Sequence, residues 1–343
     1  MRILSVTAQK PHSTGSGVYL SQLVQSFAAA GHEQAVVGGV FADDEVDFPN
    51  GVAWYPVTFD TPELPFFVCG MSDEMPYPST RYRDMTPQMV DRFKAAFVQA
   101  VGRAIETFNP DVVLVHHLYL LAATIRETFP DVCMLGICHG TCLRQLDTNP
   151  LCHDEIIAGV AKLDHIFALH EEQRSRIIRM FGVPEGRVSV LGAGYNAREF
   201  VRLPAEARQH GGLQLTFVGK VAEKKGVFSL LRALRQLPFA PGELHVTLAG
   251  GHNARDIATV RALAAQVPYE VDIPGVISQQ DLISLLNGTD VFVLPSFYEG
   301  LPLVLAEALA CGARVICTDL PGVRPWMDEH VPGNGIAWVE PPV

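Results

Sequence analysis

The sequence has few charged residues, and basic residues are the scarcer kind. Only 18% of its 343 residues are charged, whereas 48% are apolar, so the chain can form sizeable cores and is not of the disordered class. Lysine and arginine number 26 against 37 acids, which gives a formal net charge of −11. Because nucleic-acid binders are more often basic, we expect no nucleic-acid partner. A phosphate ligand is still compatible with this balance if positive charge is concentrated locally.

Signals for disulfides, metals and membrane spans are also missing. The seven cysteines form no Cys-x-x-Cys pair, which favours reduced, buried thiols. No third ligand at suitable spacing joins the histidines into a zinc site, so we expect no metal. No apolar run approaches the length of a bilayer span, and the apolar start of the chain is too short for a signal peptide. We therefore expect a cytoplasmic protein, which leaves a peripheral membrane contact open.

Strand and helix patterns alternate along the whole chain. Continuous apolar runs such as 111–115 predict buried strands, and 86–108 predicts a long amphipathic helix. A second series of the same kind begins at Leu213. Apolar strands separated by helices are typical of parallel sheets covered on both faces. The sequence thus predicts an α/β protein with two Rossmann-like, doubly wound domains, 1–195 and 213–343, that face each other across a cleft.

Two segments interrupt this alternation. Residues 196–212 lack apolar periodicity and contain a proline and two adjacent glycines, so we predict a linker there. Residues 60–84 mix four prolines with aromatic and methionine side chains. Such a long connection in a compact domain is often functional, although a packed loop with a small core of its own explains it equally well.

The stretch 295–312 carries the most chemical information. It follows a predicted buried strand and enters a helix through the turn Gly300-Leu301-Pro302. The N–H groups from Gly300 to Leu303 should point outward at the positive end of the helix dipole, and the proline fits the first helical turn. Glu299 and Glu307 flank this turn. An anion-binding turn between two acids predicts a ligand that has both phosphate and hydroxyl groups.

A lysine cluster forms the second motif. Gly219-Lys220 follows a predicted strand, and Lys224-Lys225-Gly226 precedes a predicted helix. Phosphate recognition needs cations in such a place. A solvated helix start explains the cluster equally well by itself, but its combination with the glutamate turn favours a phosphate site.

Glycines and histidines provide two weaker signals. Gly15 and Gly17 follow the first strand, where they would let the backbone approach a ligand, but an ordinary turn is nearly as good an explanation. His139 ends a predicted strand and could donate a hydrogen bond or act on a proton. A lone histidine in this setting is more often structural. The same applies more strongly to His116 and His117, which end the preceding strand.

Together these motifs resemble the retaining glycosyltransferases of family 4, which have the GT-B fold of two Rossmann-like domains. The resemblance covers nearly the whole chain, and its most specific element is the pair of glutamates with seven residues between them. The resemblance also implies C-terminal helices that cross back onto the first domain, and we expect these to be absent from this chain or to lie beyond it. The matching segments are 15–17, 29–32, His139-Gly140, 190–196, 218–220, Lys225-Gly226, 248–251, 299–302 and Glu307-Ala308.

The resemblance implies a role for each matching residue. Lys220 and Lys225 would hold the donor diphosphate, although the family usually has arginine where Lys220 stands. Glu307 would accept hydrogen bonds from ribose hydroxyls, and Glu299 would lie near hydroxyls of the transferred sugar. His139 would lie beside the reacting sugar. The implied donor-binding residues are Gly15, Gly17, Gly219, Val276, Ile277, Gly300, Leu301, Pro302, Leu303 and Glu307.

The implied activity is transfer of a hexose-type sugar from a nucleoside diphosphate donor to an acceptor hydroxyl, with retention of anomeric configuration. UDP is favoured as the family's commonest carrier, and the acceptor would be a sugar, a lipid-linked molecule or a small molecule, with 60–84 as a wall of its site. No metal or other cofactor is expected. Two alternatives stay open: a nucleotide-sugar epimerase and a catalytically inactive nucleotide-sugar-binding protein. A dehydrogenase fits poorly, because the third glycine of its fingerprint would fall at Leu20.

Overall fold

The chain folds into two compact α/β units that divide between Leu191 and Gly192. The predicted linker 196–212 therefore belongs to the second unit, and its residues 205–210 lie outside the described part of the chain. Each unit has its own sheet and its own hydrophobic core. The residues described in this computed structural model are 1–73, 75–192, 194–204 and 211–341.

The first unit is built on a seven-stranded parallel sheet. Its strands are β1 (Arg2–Val6), β2 (Glu33–Val40), β3 (Ala53–Thr58), β6 (Val112–His116), β7 (Met134–Ile137), β8 (His165–Ala168) and β9 (Val188–Val190), while β4 (Cys69–Gly70) and β5 (Thr80–Arg81) pair separately. The order is β3-β2-β1-β6-β7-β8-β9, so the direction of winding reverses between β1 and β6. Doubly wound sheets bind ligands at the strand carboxyl ends beside such a reversal.

In the described part of this unit, six α-helices connect the strands. Their bounds are α1 (Gly15–Ala29), α2 (Pro87–Phe108), α3 (Leu120–Thr128), α4 (Thr141–Thr148), α5 (His153–Val160) and α6 (Glu171–Phe181). Helix α2 shows why the sequence forms them. Thr86 caps its first turn by accepting a hydrogen bond from the Met89 N–H at 3.3 Å, and a left-handed Asn109 ends it. The fully buried Phe93 and Phe97 lie one turn apart and anchor the helix in the core.

The segment 60–84 is part of the first unit's main core. Val68, Cys69 and Tyr82 are fully buried within the same cluster as the central strands. The small separate core that we considered for this segment is therefore not formed. Packing against the main core fixes the position of this long connection.

The second unit contains a six-stranded parallel sheet. Its strands are β10 (Leu213–Val218), β11 (Leu244–Ala249), β12 (Glu270–Gly275), β13 (Val291–Leu294), β14 (Arg314–Thr318) and β15 (Ala337–Val339), and its helices are α7 (Val227–Leu234), α8 (Ala254–Ala264), α9 (Gln279–Asn287), α10 (Leu303–Ala310) and α11 (Val323–His330). The order β12-β11-β10-β13-β14-β15 reverses between β10 and β13. Both of the informative motifs of this unit, the lysine cluster and the glutamate turn, directly follow these two strands.

The structure confirms the predicted α/β class and the parallel sheets in both units. Five of the described strands were not predicted: the short pair β4 and β5, and β3, β12 and β15, which lie at sheet edges. The edge strand β9 was predicted, from the run 188–191. An edge strand is only partly buried, so it does not need the continuous apolar run by which the central strands were recognised. Among the described residues, no helix combines the length and the apolar character that crossing a bilayer requires.

Candidate active site

Close backbone packing joins the strand ends of the second unit. The N–H of Gly219 donates to the Ala249 carbonyl at 2.9 Å, and the N–H of Gly250 donates to the Gly275 carbonyl at 2.7 Å. Gly250 has a φ of +135°, and a side chain there would collide with the carbonyl of Gly219. Glycine is therefore needed where the ends of β10, β11 and β12 meet.

The lysine cluster forms one turn of 3₁₀ helix, Glu223–Lys225, and ends at Gly226. Gly226 has a φ of +72°, and a Cβ there would collide with the carbonyl of Pro295. The N–H of Phe297 donates to the Lys224 carbonyl at 3.2 Å. These contacts hold the turn that follows β10 directly against the segment that follows β13.

This packing brings Lys225 and Glu299 together. Lys225 Nζ lies 2.6 Å from Glu299 Oε1, and the Ser296 hydroxyl donates to the same oxygen at 2.6 Å. The lysine and glutamate side chains are 23% and 14% exposed, so the pair is largely shielded from water. Ser296 is fully buried. The two motifs that the sequence analysis considered separately therefore share one charged cluster.

Helix α10 begins at the end of the glutamate turn. Pro302 is its N-cap residue, with extended backbone angles, and the helix starts at Leu303; our placement of the proline within the first turn was wrong by one position. The reason is that the Pro302 carbonyl accepts the hydrogen bond that starts the helix, from the N–H of Leu305 at 3.1 Å. Within the described part of the chain, the N–H groups of Gly300, Leu301 and Leu303 donate to no protein acceptor. They remain available to an anion.

Glu307 lies one turn into α10 and is only 7% exposed. Burial raises the pKa of its carboxyl to about 7, because the surroundings withhold water from the charged form. A buried carboxyl at a helix N-terminal turn can accept hydrogen bonds from ligand hydroxyls. Lys220 follows β10 and is half-buried, whereas Val276, which follows β12, is 76% exposed and is adjacent to the half-buried Ile277.

Three histidines gather at the carboxyl ends of β6 and β7 in the first unit. His116 Nδ1 lies 3.1 Å from His139 Nε2, and the His117 ring centroid is 4.6 Å from that of His139. Burial, reinforced by the neighbouring histidines, lowers the pKa of His139 well below its usual value. Burial and His117 lower the pKa of His116 to about 3. Both imidazoles are therefore neutral near pH 7.

The glycine loop begins α1 beside this cluster. Thr14 Oγ1 accepts a hydrogen bond from the Gly17 N–H at 3.1 Å, so that N–H already has a partner. A Cβ on Gly17 would lie 2.7 Å from the Lys10 carbonyl, which gives this glycine a packing role. Gly15, in contrast, is exposed and has open space around it.

Gln9 was not among the predicted site residues. Its Oε1 atom accepts hydrogen bonds from Ser16 Oγ at 2.8 Å and from His117 Nε2 at 3.2 Å. Gln9 thereby links the glycine loop to the histidines. A glutamine beyond the end of a strand carries no motif, so only the fold reveals this role.

The predicted site residues thus form two groups, one in each unit. Lys225, Glu299 and the α10 turn are together in the second unit, and His139 is linked to the glycine loop in the first. Among the described residues, no cluster of three or more His, Cys, Asp or Glu side chains could hold a metal ion.

Comparisons with known proteins place this geometry in a class. The two Rossmann-type units have the GT-B fold, and matched solved structures include sucrose-phosphate synthase from Thermosynechococcus elongatus, with a TM-score of 0.74, 17% identity, and coverage of 100% of this chain and 87% of that one. Anabaena HepE in complex with UDP and glucose matches with a TM-score of 0.70 and 15% identity over 99% of this chain and 86% of that one.

The family follows from the sequence matches. A model described as Glycosyltransferase Family 4 matches residues 13–199, and one described as Glycosyl transferases group 1 matches residues 203–341. The chain therefore belongs to the family 4, group 1 glycosyltransferases, which confirms the resemblance. Glycogen synthase of Mycobacterium tuberculosis is 25% identical over 357 residues, 94% of this chain and 79% of that protein. D-inositol 3-phosphate glycosyltransferase of Xylanimonas cellulosilytica is 29% identical over 203 residues, 53% of this chain and 48% of that protein.

Proposed function

We propose that this glycosyltransferase moves a hexose-type sugar from a UDP-sugar to an acceptor hydroxyl with retention of anomeric configuration. The observation that carries the proposal is the cluster of Lys225, Glu299 and Ser296 at the strand-order reversal of the second unit. A cation, a carboxylate and open helix N–H groups at one point match a ligand that combines a diphosphate with sugar hydroxyls.

The lysines would act on the leaving group. Negative charge grows on the diphosphate as the bond to the sugar breaks, and Lys225 and Lys220 would stabilise that charge together with the N–H groups that precede α10. Removing one such preorganised contact costs on the order of 3 kcal/mol in the barrier. Because Lys220 stands where the family usually has arginine, it keeps the charge but loses the two-pronged geometry of a guanidinium.

Glu307 and Glu299 would recognise hydroxyl groups. Glu307 would accept hydrogen bonds from the ribose, and Glu299, which Lys225 and Ser296 hold in place, would accept them from the transferred sugar. The choice of UDP draws support from HepE, a protein of the same fold that was solved in complex with UDP and glucose. Val276 and Ile277 would border the base.

The retaining step would need no covalent protein nucleophile. The leaving diphosphate would take the proton of the attacking hydroxyl on the same face of the sugar. His139 would lie beside the sugar as a neutral hydrogen-bonding group, in agreement with its lowered pKa. Gly15 and Gly17 would approach the diphosphate, and 60–84 would form a wall of the acceptor site. We expect this chemistry to proceed without a metal and in the cytoplasm.

The first experiment is a donor screen. UDP-, GDP- and ADP-sugars are compared for their effect on thermal stability, since a ligand that binds only the folded form raises the melting temperature. The preferred donor is then used in a transfer assay with Lys225→Ala and Glu307→Ala, and with Lys162→Ala as control, because Lys162 is an exposed lysine paired with Glu127. We expect a loss of about 100-fold in kcat/KM for Lys225→Ala and unchanged rates for the control. Near-normal rates in both site variants would refute the assignment.

The same assay separates the alternatives. An epimerase would convert the donor sugar without an acceptor. An inactive binding protein would bind the donor in calorimetry and release no nucleotide with any acceptor.

A further inference from the structure

We infer that His116 is a positioning residue that fixes the tautomer of His139, so that His139 presents an Nδ1–H donor toward the substrate. The tautomer is a property of the folded first unit alone. Only its use in sugar transfer rests on the proposed function.

The two ring nitrogens of His116 have different surroundings. Its Nδ1 lies 3.1 Å from His139 Nε2, whereas its Nε2 is buried and has no hydrogen-bond partner among the described residues. A neutral imidazole carries one N–H, which can occupy either nitrogen. Placing it on Nε2 would bury an N–H donor without an acceptor, an arrangement that folded proteins rarely tolerate. The hydrogen therefore lies on Nδ1 and is donated to His139.

His139 is the acceptor in this hydrogen bond. Its Nε2 accepts the hydrogen bond from His116, so the hydrogen of the neutral His139 ring must lie on Nδ1. The side chain of His139 is half-buried, and its Nδ1 makes no hydrogen bond to the protein in the described part of the chain. His139 thus offers a donor on its open side and no lone pair.

The neighbouring His117 follows the same pattern. Its Nε2 lies 3.2 Å from the Oε1 atom of Gln9, an oxygen that can only accept. The hydrogen of His117 is therefore on Nε2, and its buried Nδ1 carries the lone pair. Burial keeps His116 and His139 neutral, since it lowers the pKa of both rings. In both His116 and His117, the hydrogen thus lies on the ring nitrogen that has an acceptor within hydrogen-bond distance.

This tautomer defines what His139 can do. At its open nitrogen it can donate a hydrogen bond to a hydroxyl or phosphate oxygen, but it cannot remove a proton from the acceptor hydroxyl. A proton acceptor for the transfer step must then come from elsewhere, as the proposed role of the leaving diphosphate requires.

The direct test is the ¹⁵N NMR spectrum of the histidine rings in the full-length protein, because protonated and unprotonated ring nitrogens have well-separated chemical shifts. His139→Gln identifies the His139 signals by their loss. We expect His139 with a protonated Nδ1 and an unprotonated Nε2, and the same state for His116. A protonated Nε2 on His139 in the wild-type protein would overturn the inference.

Variants of His116 test its control over His139. His116→Phe removes the donor, and we expect His139 to populate both tautomers. His116→Gln, whose amide can donate to His139 Nε2, should restore the single tautomer. In the transfer assay we expect kcat to fall about tenfold in His116→Phe, the rate equivalent of one neutral hydrogen bond, and to recover in His116→Gln. An unchanged His139 spectrum in His116→Phe would contradict the positioning role, whereas correct tautomers without any transfer activity would contradict only the proposed function.

Discussion

Glu307→Gln should change how the stability of the second unit depends on pH. Burial raises the pKa of Glu307 from its ordinary 4.5 to about 7 in the folded protein. In the unfolded chain the carboxyl loses its proton near 4.5, whereas in the folded unit it keeps the proton until about pH 7. The protonated carboxyl therefore makes its full contribution to the free energy of unfolding below the unfolded pKa of 4.5. That contribution is lost as the pH rises to the folded pKa of about 7.

The size of the effect follows from the shift. Each pKa unit corresponds to about 1.4 kcal/mol, so the wild-type protein should lose about 3 kcal/mol of unfolding free energy relative to Glu307→Gln between about pH 4 and pH 8. The neutral glutamine does not titrate, which makes the difference between the two proteins the quantity to measure.

Urea unfolding can follow the second unit by itself. The chain has three tryptophans, and Trp326 and Trp338 belong to the second unit, so fluorescence in a Trp54→Phe background reports on that unit. Glu329→Gln, at an exposed site, serves as a control for the loss of one acid. If the difference between wild type and Glu307→Gln stays flat over the pH range, or grows in the opposite direction, the assigned burial of Glu307 is wrong.

Two further predictions concern backbone geometry. Gly226→Ala should destabilise the second unit by more than about 1 kcal/mol, because the φ of +72° strains alanine and its Cβ collides with the Pro295 carbonyl. Gly242 also has a positive φ, of +88°, but open space around it, so Gly242→Ala measures the cost of the backbone strain without a collision. If both variants lose the same free energy of unfolding in urea, the collision at Gly226 is contradicted. Thr14→Ala should cost the first unit about 1 kcal/mol, because the Gly17 N–H loses its cap, and Thr14→Ser should retain the stability. A thermal melt in which Thr14→Ala matches the wild type would contradict this.

The central strands of both described sheets could be predicted, whereas of the four edge strands only β9 could. β13 and the first four residues of β6 are continuous apolar runs because these strands are buried on both faces. β3 contains Pro56, which an edge strand tolerates because it pairs on one side only. Successive residues of β12 alternate between exposed and half-buried, so this strand has no continuous apolar run. The hydrophobic pattern of a sequence reflects how far each strand is buried, so a partly buried strand is harder to recognise.

The candidate site, too, could be predicted only in part: its residue types could be predicted, and the contacts between them could not. The sequence by itself determined which residues could bind a phosphate and hydroxyl groups, because Lys225, Glu299 and Glu307 carry that chemistry wherever they lie. Only the tertiary structure decided that Lys225 meets Glu299, since they lie 74 positions apart in the sequence and their approach depends on the strand order β10-β13 and on a glycine at 226. The pairing of His116 with His139 likewise depends on β6 and β7 lying side by side in register. Chemical identity is a local property of the chain, but the distance between two groups is set by topology and packing.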